Sequence, residues 1–202
     1  MISSSQQKID QLLERRAAEI IEIENKYQEL LKHEYLARSV ELKRSPHFWK
    51  RVLRNHHTLS KLFTSEDWNI LEFLDDLTLD EFSSRNKVKT YKLTFDFKTN
   101  PYFSNNTLWA AVNDDEVNYY CASGIQYKEG YNRDSFDEGD EEAKKDSFFR
   151  VFQGVQEQPS FWNEGGFVYE VLNGIRIDLW EDPVKFYDSP AEFTSNSSRL
   201  FA

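Results

Sequence analysis

From Ser5 to Arg44 apolar residues return at steps of three, four or seven: Ile9, Leu13, Ile20, Ile23, Tyr27, Leu30, Ala37 and Val40. Between them stand mostly Glu, Lys, Arg and Gln, with no Gly and no Pro. Such residues lose little rotamer freedom in a helix. A near-heptad return of apolar positions then lays a seam along one side, broken here where Arg16 and Glu34 fall on it. Leu12, Ile21, Leu31 and Leu36 widen the stripe, so the helix needs more than one kind of neighbour. Forty helical residues make a rod of roughly 60 Å. A compact chain of this length has a radius of gyration of only about 16 to 17 Å. The rod therefore overhangs its own domain, and the pattern predicts a second copy of the same helix as its cover, in a pairing direction left open.

After the rod the periods change. Ser45-Pro46 predicts a new helix start, with Ser45 as N-cap and Pro46 in the first helical position. Phe48, Trp49, Val52, Leu53, Leu59, Leu62 and Phe63 then trace one helical face. Ser65, followed by Glu66 and Asp67, predicts a second cap, opening a helix that carries Trp68, Leu71, Phe73 and Leu74 inward. A short strand is expected over Leu77–Phe82. Tyr91, Leu93, Phe95 and Phe97 alternate with polar residues, which predicts a strand wet on one face. Thr107–Val112 returns, Asn113–Glu116 makes an acidic turn, and Val117, Tyr119 and Cys121 alternate again. Short connections between successive strands imply an antiparallel sheet.

The pattern collapses between Tyr127 and Ser147, where carboxylates dominate and apolar anchors are few, so a mobile acidic loop is expected. Order resumes with Ser147–Phe152. A helical stretch follows Gly165-Gly166, interrupted at Gly174 and continued from Ile175 to Trp180. Asp182-Pro183 caps a last turn through Tyr187, and the Ser- and Asn-rich tail is expected to fray.

Charge divides the chain. Residues 1–50 hold nine Lys and Arg against eight Asp and Glu, a balance of +1; residues 51–202 hold sixteen against twenty-seven, a balance of −11. An acidic domain repels nucleic acid and attracts basic proteins. Cys121 is the single cysteine, so no internal disulfide can form and an intracellular setting is expected. No apolar run approaches membrane-spanning length, and no membrane contact is expected. The seven glycines form neither GxGxxG nor a P-loop. His33, His47, His56 and His57 make no metal-binding spacing, and Cys121 has no nearby base. No catalytic residue, metal or cofactor is expected, and the chain is not read as an enzyme.

Phe48-Trp49 with Asn55-His56, Asn100-Pro101-Tyr102-Phe103, Ser147-Phe148-Phe149, and Leu179-Trp180-Glu181-Asp182-Pro183 with Phe186-Tyr187 occur in an order that resembles the nucleosome assembly protein (NAP) family of histone chaperones, its SET-like subgroup in particular. The resemblance runs from the long helix to about Tyr187. It implies an α+β fold: residues 1–45 as a long dimerisation helix, 46–188 as an earmuff domain with an antiparallel sheet packed on helices, and 189–202 as the tail. It also implies a homodimer whose acidic concave surface holds core histones, the central or flanking pair or a centromeric variant, without direct nucleic-acid binding and without enzymatic activity. The setting it implies is the nucleus, with shuttling to the cytoplasm allowed. Histone-binding candidates are Asp114, Asp115, Glu116, Asp178, Glu181 and Asp182, with Asp134, Asp137, Glu138, Asp140, Glu141 and Glu142 in the loop. One departure is the long Asp/Glu tail usual in the family, which does not precede Ala202. The competing reading is a coiled-coil dimeric scaffold that recruits a non-histone partner.

Overall fold

The computed structural model describes residues 2–83, 89–113, 120–131, 147–153 and 166–188. Helix α1 spans Ile2–Leu42, unbroken over 41 residues. Its last turns dock on the rest of the chain through Tyr35, Arg38, Ser39 and Leu42, and Leu42 is buried.

The break after α1 differs from the expected Ser45-Pro46 start. Helix α2 runs Phe48–Asn55, and its N-cap is His47, held at φ 55° with no capping hydrogen bond from its side chain. The left-handed backbone swings Phe48 and Trp49 into the core, where they are 5% and 2% exposed. Burying two aromatic rings outweighs the roughly 1 kcal/mol that a good cap contributes. The His47 ring reaches the carbonyl of Glu72 at 3.0 Å, and Lys50 pairs with the Glu72 carboxylate. The apolar face expected to run on to Phe63 is instead divided between α2 and a 3₁₀ turn, Leu59–Leu62.

Helix α3 covers Ser65–Ile70, and its cap is Thr64 rather than Ser65. The Thr64 hydroxyl accepts from the Asp67 N–H at 3.1 Å, and Asp67 Oδ2 accepts from the Thr64 N–H at 2.8 Å. Asp67 is fully buried, so its carboxylate needs donors. It also accepts from the Ser147 hydroxyl at 2.5 Å and the Phe148 N–H at 3.0 Å, which ties α3 to a distant segment. Leu71–Phe73 forms a 3₁₀ turn, so Leu71 goes inward while Trp68 and Phe73 stay half-buried.

Four strands follow in sheet order β1-β2-β3-β4, all neighbours antiparallel: β1 Leu74–Ser83, β2 Lys89–Phe97, β3 Thr107–Asn113 and β4 Tyr120–Ala122. Strand β1 begins three residues before the expected Leu77. A register shift between Leu74 and Asp76 breaks its alternation, which hid the start from a period-two reading. The inner face carries Tyr91, Leu93, Phe95 and Phe97, each at most 5% exposed, beside Leu108 and Ala110. Cys121 sits half-buried in β4, not within the core.

A 3₁₀ turn, Phe148–Phe152, fills the centre. Phe148 meets Phe63 at 4.8 Å, and Phe152 meets Phe95 at 5.1 Å between ring centres. Helix α4 spans Phe167–Gly174 and continues directly into a π turn, Ile175–Leu179. Gly174 therefore does not interrupt the helix. A Cβ there would lie 2.9 Å from Leu59 Cδ2, so this glycine serves close packing. The π turn sends Ile175, Leu179 and Trp180 inward and leaves Ile177 and Asp178 outward. Helix α5, Pro183–Asp188, packs on α2 by stacking Tyr187 on Phe48 at 4.8 Å and through a 2.8 Å bond from Asn55 Nδ2 to the Phe186 carbonyl. The product is an α+β unit with a long helix projecting from one antiparallel sheet and its helical cover.

Candidate dimer seam and acidic surface

The seven large residues of the expected seam, Ile9, Leu13, Ile20, Ile23, Tyr27, Leu30 and Val40, are between 46% and 61% exposed in the single chain. Ala37 is exposed as well. At about 100° per residue, Ile20, Ile23, Tyr27, Leu30 and Ala37 fall on one side of α1. Ala17, Ile21, Gln28, Tyr35 and Ser39 lie to the other flank and are partly covered, while Arg38, about five turns on from Ile20, stands in line with it at the boundary. Leu12 and Leu31 extend the exposed stripe.

Arg38 fixes the root of the rod. Its guanidinium lies 4.7 Å from the Tyr35 ring centre and 4.5 Å from that of Trp180, and Nη1 donates to the Glu181 carbonyl at 3.3 Å. Burial pulls the Arg38 pKa below its usual value, against the pull of Tyr35, Asp182 and Asp76. Beside it, Ser39 Oγ donates to Asp76 Oδ2 at 2.5 Å and Lys43 approaches the same carboxylate at 3.1 Å.

Among the acidic candidates, Asp178 lies in the π turn and Glu181 and Asp182 on the segment joining it to α5, and all three are exposed. Two of them already hold local structure. Asp182 Oδ1 accepts from the Lys185 N–H at 3.3 Å and so caps α5. Asp178 Oδ2 lies 3.3 Å from Nε2 of His56. His56 is 7% exposed, its Nδ1 accepts from the Leu59 N–H at 3.1 Å, and its ring lies on Phe186. With Nδ1 an acceptor, Nε2 must carry the proton and donate to Asp178. Burial lowers the His56 pKa and His57 adds to this, while Asp178 opposes it. The neutral ring that geometry demands is therefore the form burial favours. Asp114, Asp115, Glu116, Asp134, Asp137, Glu138, Asp140, Glu141 and Glu142 lie outside the described residues.

The sequence reading missed the partners of His56, Arg38 and Asp76. The pairs His56–Asp178, Arg38–Trp180 and Asp76–Ser39 each bridge more than thirty residues of chain, and no local period announces such a pair. Adjacent His56 and His57 differ in setting: one is buried and the other exposed beside Lys61. No group of three His, Cys, Asp or Glu suited to a metal occurs among the described residues, and no described helix is long and apolar enough to cross a membrane.

A long helix with an exposed apolar seam, set on an antiparallel α+β unit, is the architecture these elements build. The family profile for nucleosome assembly protein (NAP) matches residues 38–165, and the chain belongs to that family. It is similar to NAP1-related protein 2 of Oryza sativa subsp. indica, 29% identical over 193 residues, covering 93% of this chain and 75% of that protein. It is similar to Protein SET of Drosophila melanogaster, 29% identical over 202 residues, covering 94% of this chain and 72% of that protein, in keeping with the SET-like resemblance. In three dimensions it resembles the crystal structure of nucleosome assembly protein S from Plasmodium falciparum, with a TM-score of 0.67 and 27% identity over 92% of this chain and 96% of that one.

Proposed function

We propose that this chain is a histone chaperone that works as a homodimer, receives core histones on acidic surfaces of the domain at each end of the paired rod, and assists nucleosome assembly or disassembly in the nucleus. The observation that carries the reading is the charge that follows the rod in a NAP-family chain: −11 over residues 51–202 against +1 over residues 1–50. Core histones are strongly basic, so an acidic surface can shield the residues that otherwise meet phosphates. We divide the chain into a rod at 1–45, a binding domain at 46–188 and a tail from 189, and the step in charge lies close to the first of these boundaries.

Within the binding surface we assign Asp178, Glu181 and Asp182, together with the carboxylates of 114–116 and 134–142. The cleanest variant is Glu181→Lys, because the Glu181 carboxylate has no partner among the described residues. Asp178→Asn keeps an acceptor for His56 while removing charge. Fluorescence titration of both labelled core histone pairs at several salt concentrations tests the reading. Affinity should fall as salt rises, since exposed attraction is screened over about 10 Å at 0.1 M, and should fall further in the double variant. Salt-independent affinity would place the site elsewhere. No binding to either pair would leave the scaffold reading.

A further inference from the structure

Among the described residues strand β1 is an edge of the sheet: it pairs with β2 on one side and with no described strand on the other. Helix α1 runs beside this edge and touches it at two ties. Ser39 meets Asp76 at 2.5 Å, and Gln28 Nε2 reaches Glu81 Oε2 at 3.3 Å. The eleven helical residues between the ties span about 16 Å, as do the five strand residues. Helix and strand thus lie alongside each other in opposite directions. Between them opens a groove of about 580 Å³, within the range of roughly 300 to 1,000 Å³ typical of ligand sites.

Thr78, Leu79, Asp80 and Glu81 all line this groove. Successive strand residues point to opposite faces, so four in a row can share one groove only where it follows the strand's edge. That edge offers backbone N–H and C=O groups to an incoming strand. The side chains add a two-part lining. Leu36, Leu79 and the rims of Tyr35 and Trp180 are apolar. Glu29 and Asp80 face a single cation, Lys32, while Arg176 Nε already holds Glu81 at 2.6 Å.

A second copy of this chain is not the occupant. Gln28, Glu29, Lys32, Tyr35 and Leu36 lie about half a turn of α1 away from Ile23, Tyr27, Leu30 and Ala37. Pairing through the seam leaves the groove open. We propose that the groove takes an extended, basic segment by strand addition along β1, its apolar side chains on Leu36 and Leu79 and its Lys or Arg side chains toward Glu29 and Asp80. This rests on the histone reading, which supplies the segment as a basic terminal arm of a bound histone.

The test uses the full-length protein and two probes: a short synthetic peptide alternating Lys and Val, and each core histone pair with and without its terminal arms. Hydrogen exchange should show alternate amides of Leu74–Ser83 protected by the Lys–Val peptide and by intact histone pairs, but not by arm-less pairs. Glu29→Lys with Asp80→Lys should weaken the peptide by about tenfold. Leu36→Asp, at a residue already 55% exposed, should weaken it without unfolding the chain. Peptide binding that leaves β1 unprotected, equal affinity in the charge-reversed variant, or equal binding of a Glu–Val peptide would each overturn the groove. Protection by arm-less pairs would overturn the histone arm as its occupant. Failure of every histone pair to bind, with the Lys–Val peptide still protecting β1, would overturn the histone reading and leave a strand-accepting site for a different basic partner.

Discussion

On one flank of α1, Tyr35, Ser39 and Leu42, with Arg38 at the margin, find partners in the same chain; on the other, Ile23, Tyr27 and Leu30 stand about half exposed. The docked side is the more polar. It is held by an Arg between two aromatic rings and a Ser–Asp hydrogen bond at 2.5 Å, with Leu42, 9% exposed, as its buried aliphatic contact. The free side is the one that carries the periodic aliphatic pattern. Hydrophobic period therefore reports that a helix has something to bury, and not whose surface does the burying. On this rod the intramolecular contact is specific and polar at its root, and the apolar stripe is left exposed.

Breaking the free side should have the largest effect. Each buried Ile contributes about 1.5 to 3 kcal/mol, and two-fold symmetry counts it twice. Ile20→Asp with Ile23→Asp should thus cost a dimer roughly 6 to 12 kcal/mol. Light scattering on a gel-filtration column should find the wild type near twice the 24.0 kDa chain mass and the double variant near 24.0 kDa. A wild-type mass of one chain in dilute solution would sink the seam as a dimer contact.

Breaking the domain should leave the seam alone. Phe148 is fully buried and packs against Phe63, Phe95, Phe149 and Phe152. Phe148→Ala should cost about 3 to 5 kcal/mol of stability. Denaturant unfolding gives this value, and the mass of the folded sample should not change.

Much of the architecture was legible because it rests on local period. The rod, strands β2 and β3 and the antiparallel order all follow from spacing that a single stretch displays. The misses share another cause. The start of β1 was hidden by a bulge at Asp75, the caps at His47 and Thr64 were chosen by what their neighbours bury, and Gly174 answers to Leu59 more than a hundred residues away. Of the candidate site, the apolar residues proposed as the seam were legible as a spacing, and the structure leaves them exposed. The acidic surface was legible only as a charge balance, because carboxylates on a surface carry no period.

Gly174→Ala sharpens this point, since the two readings of the residue differ in sign. A glycine that merely interrupts a helix would be improved by Ala, by about 1 kcal/mol. A glycine kept for close approach would push its new Cβ into Leu59, itself 1% exposed, and lose roughly 1 to 3 kcal/mol. Thermal unfolding should show the loss. A gain would mean that Leu59 can move aside.

The smallest effect concerns His56, which links the 3₁₀ turn at Leu59 to the exposed Asp178. In the unfolded chain this histidine takes up a proton near pH 6.5. In the folded chain burial lowers its pKa, and protonation of Nδ1 would also cost the bond from the Leu59 N–H. Below about pH 6.5 the unfolded state therefore binds a proton that the folded state refuses, and stability must fall as pH drops through that window. Above it the contribution is fully present. His56→Gln should remove this part of the pH dependence while retaining a side-chain amide that can reach Asp178. Unfolding midpoints measured from pH 7.5 down to 5.5 should draw apart less in the variant than in the wild type. Equal slopes would show that His56 is as free to take a proton in the fold as outside it, and that the tie to Asp178 outweighs burial.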